Sequence, residues 1–298
     1  MKKTPRSSTI MKTRDRYLDP ANDYAFKKLF SQQDRLISFL NAILELKSGY
    51  KIRQIQLIPK DQAPLIKDAK STILNVKCTD EEGKQYIVEM QNRNYPSFIK
   101  RIQLYASHSY VSQISSGEHY NVLKPIILLC IANRVLFPSK NTCISYHDTL
   151  DRHTGAHDLE DISYVFIELP KFKKEEQDLV TLQDQWFYFF KNWENSGEIP
   201  STIQEKEIID AYHAMEQFNW SKGELEAYFE AQIALADDFL ARQAEREEGK
   251  AEGLVEGEAK AVLEMAKKML KRGLSLADVI EDTGLSSQEI TRLQENLH

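Results

Sequence analysis

The strongest constraint in the chain is a pair of alternating segments joined by a short acidic turn. Ile73-Leu74-Asn75-Val76-Lys77-Cys78 and Tyr86-Ile87-Val88-Glu89-Met90-Gln91 each alternate in polarity, the period of a strand with one apolar face. Leu74, Val76, Cys78, Tyr86, Val88 and Met90 share that face, and Asn75, Lys77, Glu89 and Gln91 share the other. A three-residue loop, Glu81-Glu82-Gly83, has a glycine for the left-handed position such loops require. It pairs Asp80 with Lys84, Val76 with Val88, and Asn75 with Glu89. A two-residue loop would set Asn75 opposite Met90 and break the apolar face. Directly opposed side chains lie roughly 5 Å apart, so Asn75, Glu89 and Gln91 converge on one patch. That patch reads either as a metal or catalytic site or as a sheet with one wetted face.

Around the hairpin the chain alternates element types. Asp19-Pro20 reads as a helix start, and apolar spacing predicts a helix from there to about Leu46. Residues 52–58 predict a first strand, with the hairpin supplying the second and third. A helix is predicted over 97–115, placing Tyr105 and Gln113 on one face and ending at Gly117. Pro125 to Ile131 is nearly all apolar, as expected of a strand covered on both faces, and Ser163 to Ile167 adds another. The sequence of elements predicts an α/β fold with a crossover unit.

Beyond Glu175 the pattern is helical. Leu179, Leu182, Trp186, Phe189, Phe190 and Trp193 form an apolar stripe, read as core rather than a base-stacking platform. Gly249, Gly253 and Gly257 recur every four residues within a helical run, each at a cost of about 1 kcal/mol against alanine. A hinge or a self-association arm accounts for them. Two short helices around Asp282-Thr283-Gly284-Leu285-Ser286 resemble a helix-turn-helix. Its second helix offers Ser287, Gln288, Thr291 and Arg292 but also Glu289 and Glu295, and residues 260–298 have six positive and six negative charges. A helical cap or protein-contact element is favoured there over a sequence reader.

These readings divide the chain into a basic disordered tail (1–16), an α/β domain (17–173), a helical region with an acidic arm (174–258) and a helix-turn-helix-like module (259–298). The net charge of −6 conceals that division: residues 224–258 hold eleven Asp/Glu against three Lys/Arg, leaving the remainder mildly positive. Three cysteines without a Cys-x-x-Cys pair argue for reduced thiols. No segment reaches the roughly 18 apolar residues of a membrane span, and the start lacks a signal-peptide apolar run. A cytoplasmic protein with no membrane contact is expected. His147, His153 and His157, among several aspartates, read as a polar loop rather than a zinc site.

Several segments together resemble a known family. They are Asn22-Asp23-Tyr24-Ala25-Phe26-Lys27-Lys28-Leu29-Phe30, the two hairpin arms, Glu168-Leu169-Pro170-Lys171-Phe172, Gly273-Leu274-Ser275 and Thr283-Gly284-Leu285-Ser286. In that order, over nearly the whole chain, they resemble the PD-(D/E)XK nuclease superfamily. Within it they resemble the recombination-promoting nuclease (Rpn) or transposase family.

The resemblance implies a restriction-endonuclease-like αβββαβ core followed by an all-helical C-terminal region. It also implies a Mg²⁺- or Mn²⁺-dependent DNA endonuclease that nicks or breaks DNA and promotes recombination, as a mobile-element enzyme would. Glu89 would be the main metal ligand. Asn75 would occupy the second ligand position, where Leu74-Asn75-Val76 stands for the family's Leu-Asp-Val. Gln91 falls where the superfamily has lysine and matches the narrower family; it could orient water or phosphate but not act as a base. Lys77 could contact phosphate or assist water activation, and Tyr105 is the candidate from the following helix. Asp68, or less favourably Asp61, could supply a substitute carboxylate. Losing a full charge beside a divalent ion is worth several kcal/mol in a partly buried site, hence several orders of magnitude in rate. The alternative is therefore a catalytically dead descendant that binds DNA or protein, with self-association through the helical arm.

Overall fold

The computed structural model describes residues 16–46, 49–58, 61–62, 72–73, 75–92, 97–195 and 197–295. The chain divides at Ala231/Gln232 into two units.

The first unit is built on a mixed six-stranded sheet. Its strands are β1 (Ile55–Leu57), β4 (Val76–Asp80), β5 (Gln85–Gln91), β6 (Ile126–Ala132), β8 (Leu159–Glu168) and β7 (Ile144–Thr149), in that spatial order. A separate antiparallel pair joins β2 (Asp61–Gln62) to β3 (Thr72–Ile73). The hairpin register is the one its turn dictates. Val76 pairs with Val88 and Cys78 with Tyr86, the Asp80 N–H donates to the Lys84 carbonyl, and Gly83 sits at φ +83°. β5, β6 and β8 run parallel, and a parallel pair needs a crossover. Helix α3 (Phe98–Val111) supplies it between β5 and β6.

Both sheet faces are covered. Val76, Cys78, Tyr86 and Val88 belong to the larger core with α1 (Asp23–Leu29), α2 (Gln33–Ile43), α4 (Leu182–Asn192) and α5 (Lys206–Met215). Ile87, Leu128 and Cys130 pack with Phe98, Ile102 and Ala106 of α3 on the other side. Trp186 is fully buried among Phe30, Phe39 and Phe190, so the aromatic stripe of α4 is core. The helices beyond residue 174 thus begin inside the same core as the sheet.

Several local expectations need correction. The single helix expected up to Leu46 is two helices. Asn22, not Asp19, caps the first, its Oδ1 accepting from the Tyr24 and Ala25 N–H groups, and the Ser31 hydroxyl closes its end on the Lys28 carbonyl. Helix α3 ends at Val111, so Gln113 lies beyond it. Gln113 instead clamps Lys124, exchanging two hydrogen bonds with its backbone. The segment read as a polar loop contains β7, an edge strand in which His147 packs against Phe137 and Phe166. His147 is near Lys140 and Ser145; no zinc cluster forms among the described residues. Of the expected basic tail, residues 1–15 lie outside the described residues, and Arg16 is paired with Glu216 at 2.6 Å.

The second unit contains the long helix α6 (Lys222–Lys271) from Gln232 onward, then α7 (Leu276–Thr283) and α8 (Ser287–Glu295). Ser275 caps α7, and Gly284, left-handed at φ +69°, ends it. Ala266, Met269, Val279 and Ile290 make a small core of three helices. No helix among the described residues is long and apolar enough to cross a membrane.

Candidate active site

The C-terminal end of β5 holds two buried polar side chains. Glu89 is 6% exposed and Gln91 4%, so this face is covered by α3 rather than wetted. Glu89 and Gln91 lie on the face of Ile87, which packs on α3, because alternate residues of a strand share a side.

Asn75 sits at the bend just before β4 and is the link between elements. Its backbone N–H donates to Glu89 Oε1 at 3.0 Å, and its side-chain oxygen accepts the Met90 N–H at 3.0 Å. Those bonds fix the amide's orientation, turning its NH₂ toward Asp23 of α1, to which it donates a hydrogen bond. Asp23 is also ion-paired with Lys27 one turn on. Asn75 therefore joins two carboxylates from distant parts of the chain.

Glu89 carries the electrostatic strain. Burial pushes its carboxyl up to about 7; the Asn75 N–H, Arg101 and Lys27 pull it down, while the charge of Asp23 adds to the rise. Arg101 of α3 donates to Gln91 Oε1 at 2.7 Å, and its guanidinium lies 5.4 Å from the Phe98 ring centre and 5.7 Å from that of Tyr105. Gln91's oxygen is thus engaged by a cation.

Of the residues singled out from sequence, Asn75, Glu89 and Gln91 come together. Tyr105 reaches the group through Arg101. Lys77 is 5% exposed, and burial lowers its pKa; it lies on the same sheet face, opposite Ile87. Asp68 lies outside the described residues, and the Asp61 side chain does too. Sequence reasoning missed Asp23, Lys27 and Arg101. Their signals were an acid and a base in the segment beginning Asn22-Asp23, and a basic residue one helical turn before Tyr105.

The oxygen donors are the carboxylates of Asp23 and Glu89; the Asn75 carbonyl is taken by the Met90 N–H and its NH₂ faces Asp23. Among the described residues no three His, Cys, Asp or Glu side chains gather where they could hold a metal ion. Mg²⁺ is held through one or two carboxylates with retained water, and a proton-hungry buried carboxylate beside a second one is what a divalent cation relieves. The residues fit such an ion.

The family described as PD-(D/E)XK nuclease family transposase matches residues 20–244. The C-terminal HTH domain of the Rpn/YhgA-like nuclease family matches residues 259–295. The chain belongs to the PD-(D/E)XK nuclease family transposases, in their Rpn group. PD-(D/E)XK nucleases in general use divalent metals. No curated protein and no solved structure matches.

Proposed function

We propose that this protein is a Mg²⁺-dependent DNA endonuclease of the recombination-promoting type, with Asp23 and Glu89 as its acidic pair. The observation that carries this reading is the hydrogen bond between Asn75 and Asp23. Where the family's aspartate would bring a charge, Asn75 brings a neighbouring carboxylate into register with Glu89. The missing charge is thereby supplied from α1.

In this reading Asp23 and Glu89 hold the ion, which supplies Lewis-acid activation of water and of the scissile phosphate. Asn75 positions both carboxylates through its N–H and its NH₂. Gln91, its oxygen held by Arg101, fixes that guanidinium beside Glu89. Arg101, stacked on Phe98 and Tyr105, contributes a fixed positive charge to a site where negative charge develops. Lys77 contributes a second. The C-terminal helix-turn-helix adds DNA contacts through the exposed Gln288, Thr291 and Arg292 of α8.

The second reading is a binding module without cleavage. The observation favouring it is that both ends of the Asn75 amide are already occupied, by Met90 and Asp23. Purified full-length protein, supercoiled plasmid and Mg²⁺ or Mn²⁺ separate the two. Cleavage abolished by Glu89→Ala and by Asp23→Ala supports the enzyme. An inert parent that gains cleavage with Asn75→Asp marks a site disabled by one charge. Silence from both, with salt-sensitive DNA retention, selects the binding module.

A further inference from the structure

The middle of α6 is exposed along its described residues from Gln232 to Ala261, including large apolar ones: Ile233 at 59%, Leu240 at 61% and Leu254 at 55%. These three share one line along the helix, with Phe239 at 59% and Val255 at 67% exposed to either side of it. Ile233, Leu240, Glu247, Leu254 and Ala261 recur every seven residues, which is the seam of a helix meant to pack along another helix. Three residues on, the companion positions are Ala236, Gln243, Lys250 and Gly257. A seam carrying leucines at its outer positions and a glutamate and a lysine at its middle is left facing solvent.

Charge identifies the occupant. Residues 224–258 hold eleven Asp/Glu and three Lys/Arg, whereas residues 259–272 hold five Lys/Arg and one Glu. A parallel pair of identical helices would lay the acidic stretch on itself. In an antiparallel pair the ends become complementary, with Lys260, Lys267 and Lys271 of each copy opposite Asp237, Glu230 and Glu226 of the other, while residues 239–258 still face their own counterparts. We propose that this seam binds a second copy of the same chain in antiparallel orientation, with Glu247 of each copy facing Lys250 of the other.

The register has further consequences. With Glu247 opposite Lys250, Leu254 falls opposite Gln243, Leu240 opposite Gly257, and Ala261 opposite Ala236. Large residues then meet small or flexible ones, so the helices can pack closely. Gly257 has a use it lacks within one chain, where nothing lies within 4 Å of the place a Cβ would take. The central charged pair fixes orientation and register, as a polar layer does in a coiled coil. The inference goes beyond the nuclease reading and does not depend on whether the site cleaves.

Light scattering on the full-length protein at micromolar concentration tests it. The expected result is a dimer that becomes monomeric on Leu240→Glu with Leu254→Glu, with helix content unchanged because both positions are exposed. Glu247→Lys should raise the dimer dissociation constant at least tenfold, and adding Lys250→Glu should restore it. Orientation is read by disulfide formation. Chains carrying Gln243→Cys mixed with chains carrying Leu254→Cys cross-link, and neither cross-links alone, because in this register each position lies about 16 Å along the axis from its own copy. A monomeric parent, a dimer indifferent to the leucine changes, or cross-linking of each single variant with itself would overturn the proposal.

Discussion

The ends of β5 and β8 lie on either side of β6 and make an instructive pair. Each carries a glutamate that is nearly inaccessible, Glu89 at 6% and Glu168 at 1%. Glu168 is fully provided for. Its Oε1 accepts the N–H groups of Leu136 and Phe137 at 2.6 and 3.0 Å, and its Oε2 meets Lys171 at 2.7 Å. Lys171 also donates to the Phe137 carbonyl, so the two side chains staple the loop after β6. Glu89 receives the Asn75 N–H, faces the charge of Asp23, and holds its proton up to about 7. Equal burial thus accompanies opposite chemistry. What separates these two carboxylates is the charge balance around them, not their accessibility.

This contrast is easiest to break by substitution. The largest effect should come from Glu168→Ala, which leaves Lys171 and two loop N–H groups stranded. A loss of about 3–5 kcal/mol in urea unfolding is expected, with metal binding by the remaining folded protein intact. Glu89→Gln should have the reverse sign. In the folded chain the Glu89 pKa, about 7, lies above its ordinary 4.5, so the native state binds the extra proton between those values. Stability therefore falls as pH rises through that window, reaching a penalty of about 3 kcal/mol above pH 7. Removing the ionisable group should recover much of it at pH 8 and flatten the pH profile.

Asn75→Asp sharpens the comparison from the other side. It replaces an amide donor to Asp23 with a like charge, and should destabilise the metal-free protein by about 1 kcal/mol. Added Mn²⁺ should more than restore that loss, which a simple packing defect would not permit. Asp19 gives a second pH-dependent effect, its carboxyl pushed by burial up to about 6. Its contribution likewise weakens stability as pH rises from about 4 to 6. Asp19→Asn keeps an acceptor for the Ala21 N–H and should flatten only that part of the profile.

How much of this was legible beforehand follows the distance over which residues cooperate. The register of Val76 against Val88 could be counted from Gly83, because a turn and a period of two act locally. The helix-turn-helix likewise announced itself through Gly284 and the apolar spacing around it. Asp23 could not be counted to Asn75. The two are 52 residues apart, and their meeting depends on how α1 lies against the sheet through Phe26 and Leu29 in the larger core. Arg101 was hidden for a related reason: its aim at Gln91 follows from the crossover returning α3 over β5. The break between α1 and α2 was missed because Phe30 and Phe39 both serve the core, so apolar spacing continued across a real interruption. β7 was missed because an edge strand with polar residues reads as a loop.

In the proposed reading a divalent cation relieves the buried Glu89 carboxylate, with Asp23 as its acidic partner. Thermal unfolding at pH 8 of the parent and Glu89→Gln, each in chelator and in excess Mg²⁺ or Mn²⁺, tests it most directly. The parent should be stabilised by metal, by about 2.7 kcal/mol at a hundredfold excess over Kd. The Glu89→Gln protein should be more stable than the parent in chelator and unmoved by metal. A variant less stable than the parent in chelator, or one that gains as much from metal as the parent does, would contradict it.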